Sequence, residues 1–194
     1  MNKPVVLVVM DGVGINPSDY GNAVKNAYTP TLDKLFSTCP YTEIKAHGVA
    51  VGLPSDGDMG NSEVGHNALG CGQIYSQGAK LVNESIESKA IFQSDTWKEL
   101  AENAKGHTLH FLGLLSDGNV HSHINHLLAM IREAKEEGLN RVRVHILLDG
   151  RDVDPTSALI YVNQLEECLK ELNDSTFDAR IASGGGRMVI TMDR

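Results

Sequence analysis

The sequence predicts an α/β protein on three observations. Apolar runs rich in Val, Ile and Leu alternate with stretches whose apolar residues recur at helical spacing. Three such runs end in Asp-Gly, at Met10-Asp11-Gly12, Ser116-Asp117-Gly118 and Leu148-Asp149-Gly150. The 194 residues are 41% apolar but only 5% aromatic, which suits one aliphatic core or two small lobes.

The elements follow in order. Residues 4–10 (Pro-Val-Val-Leu-Val-Val-Met) form a continuous β-branched run and predict a first strand buried on both faces. From Gly48 to Gly72 there are seven glycines in 25 residues, too many for a regular element and too long a stretch for an idle turn. A lobe boundary is expected just after it, near Ser76, giving domains 1–76 and 77–194. Residues 77–105 read as two short helices with a turn around Ser94-Asp95. Residues 107–115 and 142–148 read as two further strands. Between them Ile124, Leu127, Leu128, Ile131 and Ala134 or Lys135 step at helical spacing, with Gly138 placed as a C-terminal cap. Asp154-Pro155 predicts an N-cap with Pro at the first helical position, before an apolar face of Val162, Leu165, Leu169 and Leu172.

Composition excludes several function classes. The formal charge of −8 disfavours a nucleic acid or an anionic membrane as partner, since both reward clustered Lys and Arg. A small phosphorylated ligand needs only a few local cations and stays open. No apolar run reaches the ~18 residues of a membrane span. The first residues suit a buried strand better than a signal peptide. Cys39, Cys71 and Cys168 are odd in number and form no Cys-x-x-Cys pair, so neither a disulfide framework nor a zinc knuckle is expected. The expected setting is the reducing cytoplasm.

Ligands in open α/β sheets gather beyond the carboxyl ends of strands. Asp11 stands at such an end, where a carboxylate either ligates a cation or simply starts a turn. Pro17 occupies the last glycine position of Gly-x-Gly-x-x-Gly, so the dinucleotide fingerprint fails; the phosphate-loop motif is absent too. Ser62 in Met59-Gly60-Asn61-Ser62-Glu63 reads either as a helix N-cap or as an accessible hydroxyl nucleophile near backbone N–H groups. His121, His123 and His126 fall within six residues and read as a metal cluster or as capping and surface histidines. His121, just past the Asp117-Gly118 strand end, is preferred as a substrate-facing group. Arg151 with Asp152 follows one strand end, and Arg187 and Arg194 follow the triple glycine Gly184-Gly185-Gly186. An Arg in such a glycine-rich turn offers a bidentate fork to phosphate or carboxylate, although a lone Arg is also an ordinary surface charge.

Taken together, the segments resemble the cofactor-independent (2,3-bisphosphoglycerate-independent) phosphoglycerate mutases. The resemblance rests on Met10-Asp11-Gly12, Tyr20-Gly21-Asn22-Ala23, Val51-Gly52-Leu53-Pro54 and Met59-Gly60-Asn61-Ser62-Glu63-Val64-Gly65-His66. It continues through the segment from Leu114 to His123, Asp149-Gly150-Arg151-Asp152, Ser183-Gly184-Gly185-Gly186-Arg187 and Met192-Asp193-Arg194. It implies part of an alkaline-phosphatase-like three-layer sandwich over 1–76 and part of an inserted α/β transferase-type domain over 77–194. It further implies interconversion of 3- and 2-phosphoglycerate through a phosphoserine on Ser62. Asp11 and Ser62 would ligate metal in a pair of divalent ions, usually manganese. His121, Arg151, Asp152, Arg187 and Arg194 would hold the substrate. Members of that family are more than twice as long, so the expected partners are phosphoglycerate and the C-terminal remainder of the same enzyme, which would bring the other metal ligands. The 194 residues alone are expected to be inactive. The competing expectation, from a different class, is a non-catalytic fragment that binds phosphate or a partner through its Arg loops.

Overall fold

The computed structural model describes residues 3–10 and 12–192. The chain divides into two compact units, Met1–Ile44 and Lys45–Arg194. The first unit holds two helices, α1 (Ala23–Asn26) and α2 (Pro30–Thr38). Asn22 caps α1 by accepting from the Lys25 N–H at 3.0 Å, and Pro30 opens α2 where no N–H is needed.

The run 4–10 is not a strand. Its side chains are open to solvent, from 95% exposure at Val5 to 47% at Met10. A strand apolar on both faces is stable only between sheet neighbours and under helices. Among the described residues, no strand pairs with it.

The second unit is built around a parallel sheet. Its elements run α3 (Ser62–Cys71), α4 (Gly78–Glu87), α5 (Asp95–Ala104), β1 (Leu109–Leu115), α6 (Ile124–Glu136), β2 (Arg141–Leu148), α7 (Ala158–Leu172), β3 (Asp178–Gly186) and α8 (Arg187–Ile190). The strand order is β1-β2-β3, all parallel. Two crossovers stepping the same way put α6 and α7 on one face of the sheet. There Ile131 and Ala134 of α6 and Leu165 and Leu169 of α7 bury against Val142, Val144 and Ile146 of β2. Strand alternation sends Leu112 and His145 to the other face, where Leu112 is 78% exposed. There the His110 and His145 rings are joined at 2.9 Å, and His145 reaches the Ser183 hydroxyl at 2.7 Å, a chain of hydrogen bonds across the three strands.

Several sequence expectations hold. Strands β1 and β2, α6 with Gly138 in the left-handed region after it, and the two short helices α4 and α5 are present; at the expected turn Ser94 caps α5. Two others are corrected. Helix α7 starts at Ala158, three residues beyond Pro155, because Asp154 folds an Asx turn instead of a cap. Its Oδ1 accepts from the Thr156 N–H at 2.7 Å and the Thr156 hydroxyl at 2.6 Å.

The triple glycine is not a turn but the end of β3. Glycine weakens a strand intrinsically, so the pattern argued against one. Packing decides otherwise. A Cβ on Gly184 would stand 2.9 Å from Ile146 Cγ1, and one on Gly185 would stand 2.3 Å from Ile190 Cδ1. The backbone of these glycines pairs with Ile146–Leu148 of β2, and a side chain at Gly184 or Gly185 would have to displace those isoleucine side chains.

The glycine-rich segment has its own small core of Val51, Leu53 and Val64. Gly52 has φ +85°, and a Cβ there would fall 1.8 Å from the Tyr75 carbonyl oxygen. Glycine is therefore required for the segment to fold back onto the start of α4. Buried Gln77 completes the joint, with its N–H donating to Gly52 O at 2.9 Å and its amide to Val51 O at 3.0 Å.

Candidate functional site

The carboxyl ends of the three strands converge on one buried ionic network. Asp149 follows β2, Ser116 follows β1 and Arg187 follows β3; all are at most 6% exposed. The Ser116 hydroxyl donates to Asp149 Oδ2 at 2.6 Å. One terminal nitrogen of Arg187 donates to Asp149 Oδ1 at 2.8 Å and to Asp152 Oδ2 at 2.7 Å. Asp149 Oδ1 also accepts the backbone N–H groups of Arg151 and Asp152, each at 3.1 Å, which shapes the turn presenting Arg151.

Burial alone would raise the Asp149 carboxyl. The hydrogen bonds from Ser116, Asp152 N–H, Arg187 and Arg151 N–H outweigh it and hold the group below the ordinary carboxylate range. Burial likewise works against the Arg187 charge, and the two carboxylates more than restore it. Both partners therefore stay ionised. A buried guanidinium fixed between two carboxylates is oriented before any ligand arrives, which suits recognition of an anion by a rigid fork.

The neighbouring loop is fitted to this network. A Cβ on Gly118 would lie 2.7 Å from Asp152 Cβ, so a glycine there lets the loop after β1 seat against the loop after β2. Tyr161 donates to Asp117 Oδ1 at 2.5 Å from α7 beneath. His121 lies further along this loop, exposed, and lines a groove with Ser122, His126 and His145. Arg151 is exposed and touches Met192 Sδ at 3.4 Å.

The other histidines divide by role. His123 caps α6, its Nδ1 accepting from the Asn125 N–H at 3.2 Å. His126 bonds Asn83 through Nε2 at 2.5 Å. Burial, with the His123 charge beside it, pushes the His126 imidazole below its ordinary value. No group of three His, Cys, Asp or Glu among the described residues could hold a metal, so the three histidines do not form a cluster.

Ser62 is not the N-cap of α3. Asn61 is, with its side chain accepting from the Val64 N–H at 2.9 Å, and Ser62 is the first helical residue. Asn outcompetes Ser here because it sits where the backbone is still extended, at φ −142° and ψ 176°. The Ser62 hydroxyl is exposed beside the first turn, 3.2 Å from His66 Nδ1.

Asp152, Arg151 and Arg187 are thus brought together, with His121 on the adjoining loop. Ser62 is hydrogen-bonded to none of them among the described residues. Asp11 and Arg194 lie outside the described residues. The strand-end position of Asp149 is legible in the sequence; its buried partner Ser116 is not, because only the parallel register of β1 and β2 pairs the hydroxyl with the carboxylate.

Comparison with known proteins bears on the same segments. Residues 82–194 match the family described as BPG-independent PGAM N-terminus. The chain is 55% identical over 197 residues to the "Probable 2,3-bisphosphoglycerate-independent phosphoglycerate mutase" of Leptospira interrogans, covering 100% of this chain and 36% of that protein. It is 52% identical to the 2,3-bisphosphoglycerate-independent phosphoglycerate mutase of Trypanosoma brucei brucei, covering 99% and 35%. The fold superposes with a TM-score of 0.84 on Leishmania mexicana phosphoglycerate mutase, whose crystal structures were solved at low cobalt concentration. That match has 48% identity and covers 96% of this chain and 34% of that one. The chain therefore spans 36% and 35% of the length of the two curated relatives named above.

Proposed function

The chain belongs to the BPG-independent phosphoglycerate mutase family, and we propose that it supplies the acceptor serine and the substrate-side arginines of an enzyme interconverting 3- and 2-phosphoglycerate. The observation that carries this reading is the Arg187–Asp149–Asp152 network at the strand ends, flanked by Arg151 and by the loop of His121. A phosphoglycerate carries both a carboxylate and a phosphate, and a pair of guanidinium groups on adjacent loops matches those two anions. Arg194 would add a third.

In this reading Ser62 Oγ gives up its proton and forms a bond to phosphorus as the bond to the glycerate oxygen breaks. The freed glycerate oxygen takes up a proton in its place. The glycerate turns within the grip of the Arg loops and His121. Its other hydroxyl then loses its proton, forms the new bond to phosphorus and releases Ser62, whose oxygen takes a proton back. Group and charge are conserved over the cycle, so positioning is the main task of the protein.

His66 is not the base for Ser62. Its Nδ1 stands 2.7 Å from the Ser62 carbonyl oxygen, which can only accept, so that nitrogen carries the proton. It is then unable to take another from Oγ. Activation must come from outside this pair.

Two divalent ions, usually manganese, belong to the family resemblance. The described residues do not make a complete site for them, since no three His, Cys, Asp or Glu side chains come together. No step above is therefore routed through them. Their other ligands would come from the C-terminal remainder of the enzyme, along with the rest of a phosphatase-type layer around residues 1–76 and of a transferase-type domain beginning at residue 77. The free thiols of Cys39, Cys71 and Cys168 are in keeping with a cytoplasmic setting.

Substrate binding tests the reading. Titration of the chain with 3-phosphoglycerate, followed by amide NMR, is expected to shift signals at Gly150–Asp152 and Gly186–Met188, and Arg187→Met is expected to abolish those shifts. Shifts that survive Arg187→Met would place the ligand elsewhere.

A further inference from the structure

The segment that carries Ser62 and the sheet that carries the Arg loops do not share a hydrophobic core. Val51, Leu53 and Val64 form one cluster, and the residues around Val142, Leu165 and Ile131 form the other. What connects the segment to the sheet must include polar contacts. One is at Gln77. Another joins Asp58, four residues before Ser62, to Asn119, two residues before His121: Asn119 Nδ2 donates to Asp58 Oδ1 at 2.5 Å.

Both partners are preset for this bond. Asp58 Oδ2 accepts from the Ser55 N–H at 2.8 Å and the Ser55 hydroxyl at 2.7 Å, while the Asp58 carbonyl accepts from the Gly48 N–H at 3.2 Å. That leaves Oδ1 aimed outward. Asn119 holds φ +57°, a left-handed backbone that Asn adopts more readily than most residues. Its N–H donates to Ser122 O at 3.2 Å, so the turn is closed independently of the side chain. The two residues line an open polar cleft of about 370 Å³ with Asn83, Glu87, His123 and His126. The bond thus bridges across a cleft instead of lying within close-packed side chains, and its loss would let the two sides move apart.

We propose that the Asp58–Asn119 hydrogen bond is a positioning latch that sets the Ser62-bearing helix against the loop carrying His121. Its role in transfer rests on the reading of Ser62 as phosphate acceptor; its role in geometry does not. Neither residue is among the groups proposed to hold the substrate, so both are assigned as positioning residues.

The amide and the carboxylate can be exchanged, which makes the latch testable. Asn119→Asp sets two carboxylates against each other. Asn119→Gly suits the left-handed backbone and removes only the side chain. In the double variant Asp58→Asn with Asn119→Asp, the amide now on the Ser55 side still accepts from Ser55 through its oxygen. Its nitrogen donates across the cleft to the carboxylate now on the His121 loop. Spin labels on Cys71 of α3 and on Lys98→Cys of α5, in a Cys39→Ser background, report the separation of the two sides. A narrow distance distribution is expected in the parent and in the exchanged pair, and a broadened or shifted one in Asn119→Asp and Asn119→Gly. Unchanged distributions in both single variants, or an exchanged pair as broad as Asn119→Asp, would overturn the latch. In a complete enzyme containing this segment, Asn119→Asp is expected to lower kcat about 10- to 100-fold with KM little changed, and the exchange to recover it. An unchanged kcat would overturn the positioning role. Because the distances need no turnover, a failure of the Ser62 reading stays distinguishable from a failure of the latch.

Discussion

His66 Nδ1 donates to the carbonyl oxygen of Ser62, its own residue i−4, at 2.7 Å, although the Ser62 hydroxyl is only 3.2 Å away. A serine and a histidine so close suggest a nucleophile with its base, yet the shared nitrogen already holds its proton. In a complete enzyme, His66→Ala is therefore expected to keep phosphoserine formation within about tenfold of the parent, where removal of a true general base costs about 10²–10⁴-fold. Ser62→Ala is expected to abolish it. Rapid quenching with phosphate mapping by mass spectrometry checks both. Label on a peptide without Ser62, or its loss in His66→Ala, would require a different assignment.

The cap assignment separates chemistry from stability at the same turn. Asn61→Ala removes the acceptor for the Val64 N–H and is expected to cost about 0.5–2 kcal/mol. Ser62→Ala, at the first helical position, is expected to stay within about 0.5 kcal/mol. Urea titration of the two variants distinguishes them, and equal losses would return Ser62 to a capping role.

Asp149 gives the acid dependence a sign. Its carboxyl is held below the ordinary range in the fold, so the stabilisation is present above the unfolded value of about 4 and is lost as pH falls through the folded value. Asp149→Asn leaves buried Arg187 with Asp152 alone and is expected to cost about 2–4 kcal/mol at neutral pH. Below about pH 4 the parent should lose stability more steeply than the variant. Asp58 and Asp178 are also held low, so part of the parent's acid sensitivity will persist. Denaturation midpoints from about pH 5 down to about pH 2 measure this, and parallel curves would show that the buried network is not the source.

The α/β class, strands β1 and β2, the helix between them and the strand-end positions of Arg151 and Arg187 were legible in the residues, because each depends on local periodicity or on a motif at a strand end. Asn61 as cap was not, since Asn and Ser are adjacent and both are good caps; the backbone conformation at Asn61 decides. The strand through Gly184–Gly186 contradicts local propensity and exists because its backbone pairs with Ile146–Leu148 of β2. The run at 4–10 has the composition of a buried strand, but composition supplies no sheet partner.

Sequence by itself determined which groups carry charge and where they stand along the chain: Asp149 and Asp152 after one strand, Arg187 after another, Ser62 at the start of a helix. Only the tertiary structure decided which of them meet. Asp149 and Arg187 are 38 residues apart yet bonded at 2.8 Å, because the parallel crossover through α7 brings the carboxyl end of β3 beside that of β2. Ser62 was grouped with these arginines by its motif, yet it stands on a segment with a separate core. Pairing a charge across such a distance depends on the register of β2 and β3 and on burial that makes an unpaired ion costly. Neither is a property of any short stretch of the chain.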